Sequence, residues 1–554
     1  MNELLASPEK TPDWMAKGTT YLLPKDGDTC NPQKYRPITC LTTTYKTLTS
    51  ILTERMYAHM EENDLFPLEQ KGCRKGSYGC KDQLLINRMI LEICHSKHRN
   101  LSMAWIDYKK AFDSVPHPWL LRVLELFKIS PKVVEFLRHN MKMWNTDISL
   151  SHSNGVLEAK NISVHRGIFQ GDSLSPLLFC IALIPLSLEL NRSHYGFKVG
   201  NRKINHLFYF DDVKLYGKDD SELEGLLKTI KSFSDDIGME FGLEKCAKAT
   251  FNRGKLVRTN SIELELETTI KELGQEQTYK YLGIDESDGI QHASMKDKVR
   301  KECVRRVRAM LRTELNAKNR IKAINTLAIP VITYSFNIVN WNMSEIRKID
   351  RKIRKLLTCN GMHHPKADTD RLYLPRREGG RGLIQLELTY KTTTIGLHQY
   401  LEHSKDWMLK LVKEHENTKK LHSVTCESRQ FARELEIVLD TGNEVQAKDA
   451  REIRRHAKQQ GLEKIEAKWE EKPLHGQYAT RRKHADVDQK YTNQWLWSSG
   501  LKAETEGLIM AAQDQSLQTR NFLANIIKNG TTKSAGSATC MSKPLITSYL
   551  VVPC

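Results

Sequence analysis

No two of the twelve cysteines stand in a CxxC pair, which leaves no paired-cysteine metal or redox motif. The chain opens MNELLASPEK, without the apolar segment that heads secreted chains, so reduced intracellular thiols are the expectation. Long hydrophobic runs are also lacking. The longest, Leu177 to Leu188, contains Pro185 and falls well short of the ~20 residues that span a bilayer; it reads as a buried helix. Neither an internal repeat nor a long low-complexity tract is present. Acidic side chains are in deficit, 67 against 85 basic ones, and the difference of +18 concentrates anions around the surface and favours a polyphosphate partner. What is there is ample: 554 residues, 40% of them apolar, enough to fold as several packed units.

Leu101 to Ile106 is short, apolar and rich in strand formers, and Asp107 follows it directly, ahead of YKKAFDSVPH. A carboxylate thus ends a strand. In INHLFYFDDVKLYG an apolar run enters Asp211 and Asp212, and alternating Val213 and Leu215 leave them, the pattern of a β-hairpin with two acids at its tip. Adjacent acids at a turn are most often plain turn residues. Here, however, Leu207, Phe208, Tyr209, Phe210 and Val213 flank them, and charge beside a core costs free energy unless a cation compensates it. Hard oxygen ligands of this kind suit Mg²⁺, which takes few protein carboxylates and completes its octahedron with water and phosphate oxygens.

FYFDD resembles the YxDD box of reverse transcriptases, AWIDYKKAFD resembles their motif A, and HRGIFQGDSLSPLLF, His165 to Phe179, is similar to motif B of the retrotransposon and group II intron branch. The likeness extends from WMAKGTTYLLPK at Trp14 and KYRPI at Lys34 to a motif D-like GLEKC at Gly242 and YKYLGI at Tyr279. It covers the first half of the chain. Beyond it, HHPKADTDRLYLPRREGGRGL, KPLHGQY and LKAETEGLIMAAQDQSLQTRN resemble the thumb and downstream region of R2-like non-LTR retrotransposons, blocks for which no mechanism follows from the sequence. The resemblance implies an α+β right-hand polymerase: fingers over 1–95, a palm over 96–285, a helical thumb over 286–400 and a mainly helical region over 401–554. It further implies an RNA-directed DNA polymerase that takes an RNA template, a DNA primer and dNTPs, working in the nucleus and also present in the cytoplasm.

By the same resemblance, Asp107 and Asp211 are the principal ligands of two Mg²⁺ ions, for which Mn²⁺ can substitute, and Asp212 completes the negative pocket. Asp113, which follows Phe112, stays outside this set. Phe112 matches the family's steric gate against a 2′-hydroxyl; taken alone, it reads as core packing. Tyr108, Gln170 and Gly171 would approach the incoming nucleotide, the glycine because a missing Cβ lets the backbone come close. Ser175 before Pro176 reads as a helix N-cap and first turn. Lys25 and Arg36 match positions that grip the triphosphate, although either alone would be an ordinary surface cation. Lys245 matches the motif D lysine that protonates pyrophosphate. Phe210 departs from the pattern, since the family carries a smaller side chain there. That departure keeps open an alternative, a catalytically impaired nucleic-acid-binding remnant; a metal-dependent nuclease is a third reading, in which Phe112 and Gln170-Gly171 have no role.

Lys296 to Leu315 sets Val299, Cys303, Val307 and Leu311 four apart, leaving Lys298, Arg300, Arg305, Arg306, Arg308 and Arg312 on the rest of a helix, and Ile346 to Leu357 repeats the pattern. Beside a palm, such faces are expected to hold duplex phosphates without reading sequence. His363 and His364 read as a loop pair, Gly379, Gly380 and Gly382 as a turn, and Trp495 and Trp497 as a hint of a small extra core. At the end, CMSKPLITSYLVVPC resembles a degenerate zinc knuckle, with Cys540 and Cys554 outermost and Tyr549 where a histidine belongs. No structural zinc is expected there, nor an endonuclease of the chain's own, nor the N-terminal DNA-binding segment of R2-like elements.

Overall fold

Two larger sheets organise the first 290 residues, one of them around a continuous apolar strand. The computed structural model describes residues 2–25, 31, 34–152, 155–264, 268–274, 276–439, 449–498 and 500–517, so the knuckle-like stretch with Cys540, Tyr549 and Cys554 lies outside the described residues. Strands of the two larger sheets are, in chain order, Lys17–Pro24 (β1), Tyr35–Leu41 (β2), Leu101–Ile106 (β3), Asn145–His152 (β4), Gly155–Ser163 (β5), His206–Tyr209 (β6), Asp212–Gly217 (β7), Ala247–Asn252 (β8) and Lys255–Val257 (β9). The first sheet runs β2-β1-β4-β5. Its centre is the parallel pair β1 and β4, flanked by antiparallel partners, so residues 145–163 join the N-terminal strands although the sequence groups them with the palm.

The second sheet runs β9-β8-β3-β7-β6 and is antiparallel throughout. Its middle strand, β3, is buried at every position, which is why LSMAWI shows no polar alternation. On one side Trp105 stacks on Tyr279 with ring centroids 4.6 Å apart. The helix Ser175–Arg192 (α1) is apolar nearly all round and therefore sits in the core. Among the described residues it alone has the length and hydropathy of a membrane span, and 67% of it is buried in the protein. Ser175 is its first helical residue and not its N-cap; Leu174 holds the cap position without a side-chain bond. The nearby capping-type acceptor is Asp172, whose Oδ1 receives Ser173 N at 2.7 Å and Thr49 Oγ1 at 2.6 Å.

The chain divides into two compact units, Met1–Ile290 and Gln291–Cys554. The second is helical. In His292–Leu311 (α2) the buried residues are Met295, Val299, Cys303, Val307 and Leu311, the expected stripe. Met343–Cys359 (α3) buries Ile346, Ile349, Ile353 and Leu357 and begins with a capping box of Asn342 and Glu345. The blocks without a sequence-level mechanism acquire one here. Arg376 grips both oxygens of Glu506 at 2.8 and 3.0 Å, Arg381 reaches the same carboxylate at 2.8 Å, and Arg371 meets Asp514 at 2.9 Å. Both carboxylates are buried, so the 371–381 segment is neutralised by the helix Ala503–Gln513 (α4) and its C-cap Asp514. Gly379 and Gly382 do turn the chain, with φ of +79° and +73°. His363 is buried, and burial pushes its imidazole down to about 4. The small extra core is built on Trp469 and Tyr478, whereas Trp495 and Trp497 stay half-exposed.

Candidate active site

Strand register assembles the carboxylates. Ile106 pairs with Val213, so Asp107 leaves β3 opposite Asp212, the first residue of β7. Trp105 pairs with Ala247, which brings Lys245 alongside Asp107 from the other neighbour. Tyr209 pairs with Asp212, so the hairpin closes through only Phe210 and Asp211. One cavity of about 650 Å³ is lined by Lys25, Tyr35, Arg36, Asp107, Tyr108, Phe112, Asp113, Gln170, Asp211, Asp212 and Lys245, among others. Residues drawn from six separate sequence blocks thus meet at one place.

The electrostatics are those of crowded acids. Burial pushes Asp211 up, and the charge of Asp107 adds to it while Lys245 and Arg36 oppose. Asp212 is pushed up to about 7 by burial and by the charges of Asp211 and Asp107. The compensating cation within bonding reach is Lys245, whose Nζ donates to Asp107 Oδ2 at 3.0 Å. Partial burial lowers the Lys245 ammonium, but the bond to Asp107 and the neighbouring carboxylates raise it overall. Gly242 keeps this corner tight: a Cβ there would lie 3.0 Å from Asp107 Oδ2. Among the described residues no three His, Cys, Asp or Glu side chains close a metal site unaided. The oxygen-only donor set of Asp107 and Asp211 fits a hard cation such as Mg²⁺, which takes much of its shell from water and phosphate.

The other sequence-predicted residues divide. Phe112, on the short helix Ala111–Ser114, lines the cavity and also stacks on Phe179 at 4.6 Å with ring planes 8° apart, so core packing and cavity wall are both its role. Gln170 lines the cavity and donates to Asp113 Oδ1 at 3.3 Å; Asp113, left out on sequence grounds, is therefore part of the wall. Tyr108 lines the cavity as well, with its ring largely buried and its hydroxyl bonded to Ser234 at 2.9 Å. Gly171 differs from expectation. Its φ is +133°, and an added Cβ would lie 2.4 Å from Thr39 O, so the bare α-carbon serves close packing on β2 and is not among the cavity-lining residues. Lys25 and Arg36 are exposed side chains at the cavity. Phe210 is half-buried, 5.2 Å from Tyr209 and 6.4 Å from Phe112 between ring centroids, and does not line the cavity. One group escaped the sequence reading altogether: Gln70, whose Oε1 accepts from Phe210 N at 3.1 Å.

A family model described as reverse transcriptase (RNA-dependent DNA polymerase) matches residues 23–285. The chain is 27% identical over 381 residues to the Retrovirus-related Pol polyprotein from type-1 retrotransposable element R2 of Popillia japonica, covering 67% of this chain and 51% of that one. It is 25% identical over 340 residues to the corresponding polyprotein of type-2 retrotransposable element R2DM of Drosophila melanogaster, covering 60% and 31%. The chain spans about half or less of the length of these curated relatives. A structure of apo telomerase from Candida Tropicalis is similar at 12% identity and a TM-score of 0.37, covering 73% of this chain and 68% of that one. Residues 23–285, with the hairpin acids and the cavity around them, match the reverse transcriptase family model, and the relatives of the chain include the Pol polyproteins of R2 retrotransposable elements.

Proposed function

We propose that this chain is the RNA-directed DNA polymerase of an R2-like retrotransposon, extending a DNA primer along an RNA template by two-metal nucleotidyl transfer. The observation that carries the reading is the single cavity lined by Asp107, Asp211 and Asp212 together with Lys25, Arg36, Phe112 and Gln170. Asp107 and Asp211 are the residues that would hold Mg²⁺, which when bound activates the primer 3′-hydroxyl and stabilises the leaving pyrophosphate. Lys25 and Arg36 neutralise the triphosphate of the incoming nucleotide. Lys245 stands beside Asp107 as the donor of a proton to pyrophosphate. The Phe112 ring walls the sugar and excludes a 2′-hydroxyl by its bulk.

Contact with the template–primer is supported by a second cavity, of about 740 Å³, in the helical unit. It lies between α2 and α3 and is lined by Lys296, Arg300, Lys301, Lys348 and Lys352 beside Trp341. Glu345 engages Lys296, and Asp297 engages Arg300 and Lys301, so five cations face two acids. That surplus favours phosphodiesters over any particular base sequence. Primer extension on poly(rA) with oligo(dT), Mg²⁺ and dTTP tests the proposal. Processive incorporation is expected, and binding of the duplex without incorporation would overturn it.

A further inference from the structure

We propose that Gln70 is a positioning residue for polymerisation, holding the Phe210–Asp211 turn so that Asp211 and Asp212 stay in the cavity with Asp107. The inference rests on the polymerase reading for its catalytic consequence and on geometry alone for the contact. Two-residue hairpin turns that need positive φ are ordinarily supplied with Gly, Asn or Asp. Here the first turn residue is Phe210, at φ +54°, a backbone conformation in which a bulky residue is an outlier. Something outside the hairpin has to hold it there.

Gln70 does so from a buried position. Its Oε1 accepts from Phe210 N at 3.1 Å and from Gly72 N at 2.9 Å, and its Nε2 reaches Phe210 O at 3.5 Å. One carboxamide therefore reads both polar groups of the strained residue. The backbone around it adds a strand-like rung to β6: Phe208 N donates to Glu69 O at 2.9 Å, and Lys71 N donates to Phe208 O at 3.0 Å. Gly72 permits the approach, since a Cβ there would sit 2.9 Å from Phe210 N. Gln83, from the helix Cys80–Ser96, donates to Glu69 O at 3.0 Å and anchors the segment in turn. Gln70 does not line the active-site cavity, so it acts on the reaction through the turn and not by touching substrate.

Removing the carboxamide leaves Phe210 N and Gly72 N without their acceptor and frees the turn to relax, displacing Asp211. The triphosphate contacts of Lys25 and Arg36 are not involved. The effect should therefore fall on kcat and spare KM. The test compares the full chain with Gln70→Met, which keeps length and volume but has no hydrogen bonds, and Gln70→Glu, which keeps an acceptor for both N–H groups. Primer extension and hydrogen exchange of the 206–217 segment are measured on each.

A displaced turn predicts that Gln70→Met lowers kcat by about 10- to 100-fold while KM for dTTP stays within about 2-fold. Exchange at the hairpin tip should rise in the same variant, and Gln70→Glu should recover protection and part of kcat. Unchanged exchange and kcat in Gln70→Met would overturn the proposal, as would equal losses in the two variants with the hairpin still protected. If the unmodified chain extends nothing, the polymerase reading fails by itself, and the exchange data still decide whether Gln70 holds the turn.

Discussion

Three carboxylates share the tip of the β6–β7 hairpin and the end of β3 with one ammonium group, an arrangement whose self-repulsion a bound cation would relieve. Asp211→Asn removes an oxygen ligand without changing shape, so primer extension should fall by at least about 100-fold, since transition-state stabilisation is lost. Duplex affinity, read by filter binding or anisotropy, should be nearly unchanged. If Phe112 walls the sugar as proposed, Phe112→Ala opens that wall and the ratio of rNTP to dNTP incorporation should rise; because the ring also stacks on Phe179, thermal stability should fall with it. An unchanged ratio in a folded, active variant would leave Phe112 with packing alone. The acids and Phe112 were legible because each sits in a short motif whose chemistry depends on residue type. The packing of Gly171 on Thr39 and of the Tyr108 hydroxyl on Ser234 was not legible, because those neighbours are far away in sequence. Gln70 left no signal at all, since what matters there is an amide facing a turn 140 positions later.

Among the elements, β3 and the buried α1 could be read from their continuous apolar runs, and the acidic hairpin and the two basic amphipathic helices α2 and α3 from periodicity, because burial on one face imposes a period of two or 3.6 on residues whose neighbours lie in the same segment. The parallel pairing of β1 with β4 could not. Its partners are more than a hundred residues apart, and no local pattern encodes which edge a strand joins. Helix-to-helix capping across the chain escapes in the same way. Asp350, buried on α3, accepts the first amides of the helix Leu386–His403, from Leu386 N at 3.2 Å and Glu387 N at 3.4 Å. Burial nonetheless pushes its carboxyl up to about 7. With the folded value above the unfolded one of about 3.9, the native state binds the proton more tightly. Stability therefore declines as pH rises from about 4 through about 7 and levels off beyond. Asp350→Asn keeps an acceptor for those amides and does not ionise, so its Tm should drop less between pH 5 and pH 8 than that of the unmodified chain. Parallel Tm curves for the two would show that Asp350 does not titrate in that window.

At the scale of the whole molecule the surplus of 18 positive charges acts on association and not on the fold. Much of it is spread over ion pairs: Arg305 and Arg306 share Glu302, and Arg300 and Lys301 share Asp297. Such exposed pairs add little stability but mute the field locally. On α3, Lys348 and Lys352 stand one helical turn apart in the wall of the larger cavity, on the same face by their spacing. If they neutralise phosphates of the template–primer, counterions are released on binding, and affinity must fall steeply with salt. Measuring Kd for an RNA:DNA duplex against salt should give a linear log–log plot. Replacing both lysines by Gln should reduce the magnitude of its slope by about 2, one for each phosphate that is no longer neutralised. The weakening should be the same for duplexes of different sequence, because charge on the backbone carries no base information. Incorporation at saturating duplex should keep its rate, the cavity with Asp107 being made of other residues. A slope identical to that of the unmodified chain would remove α3 from the nucleic-acid path, whereas a sequence-dependent loss would mean that these lysines read more than phosphate.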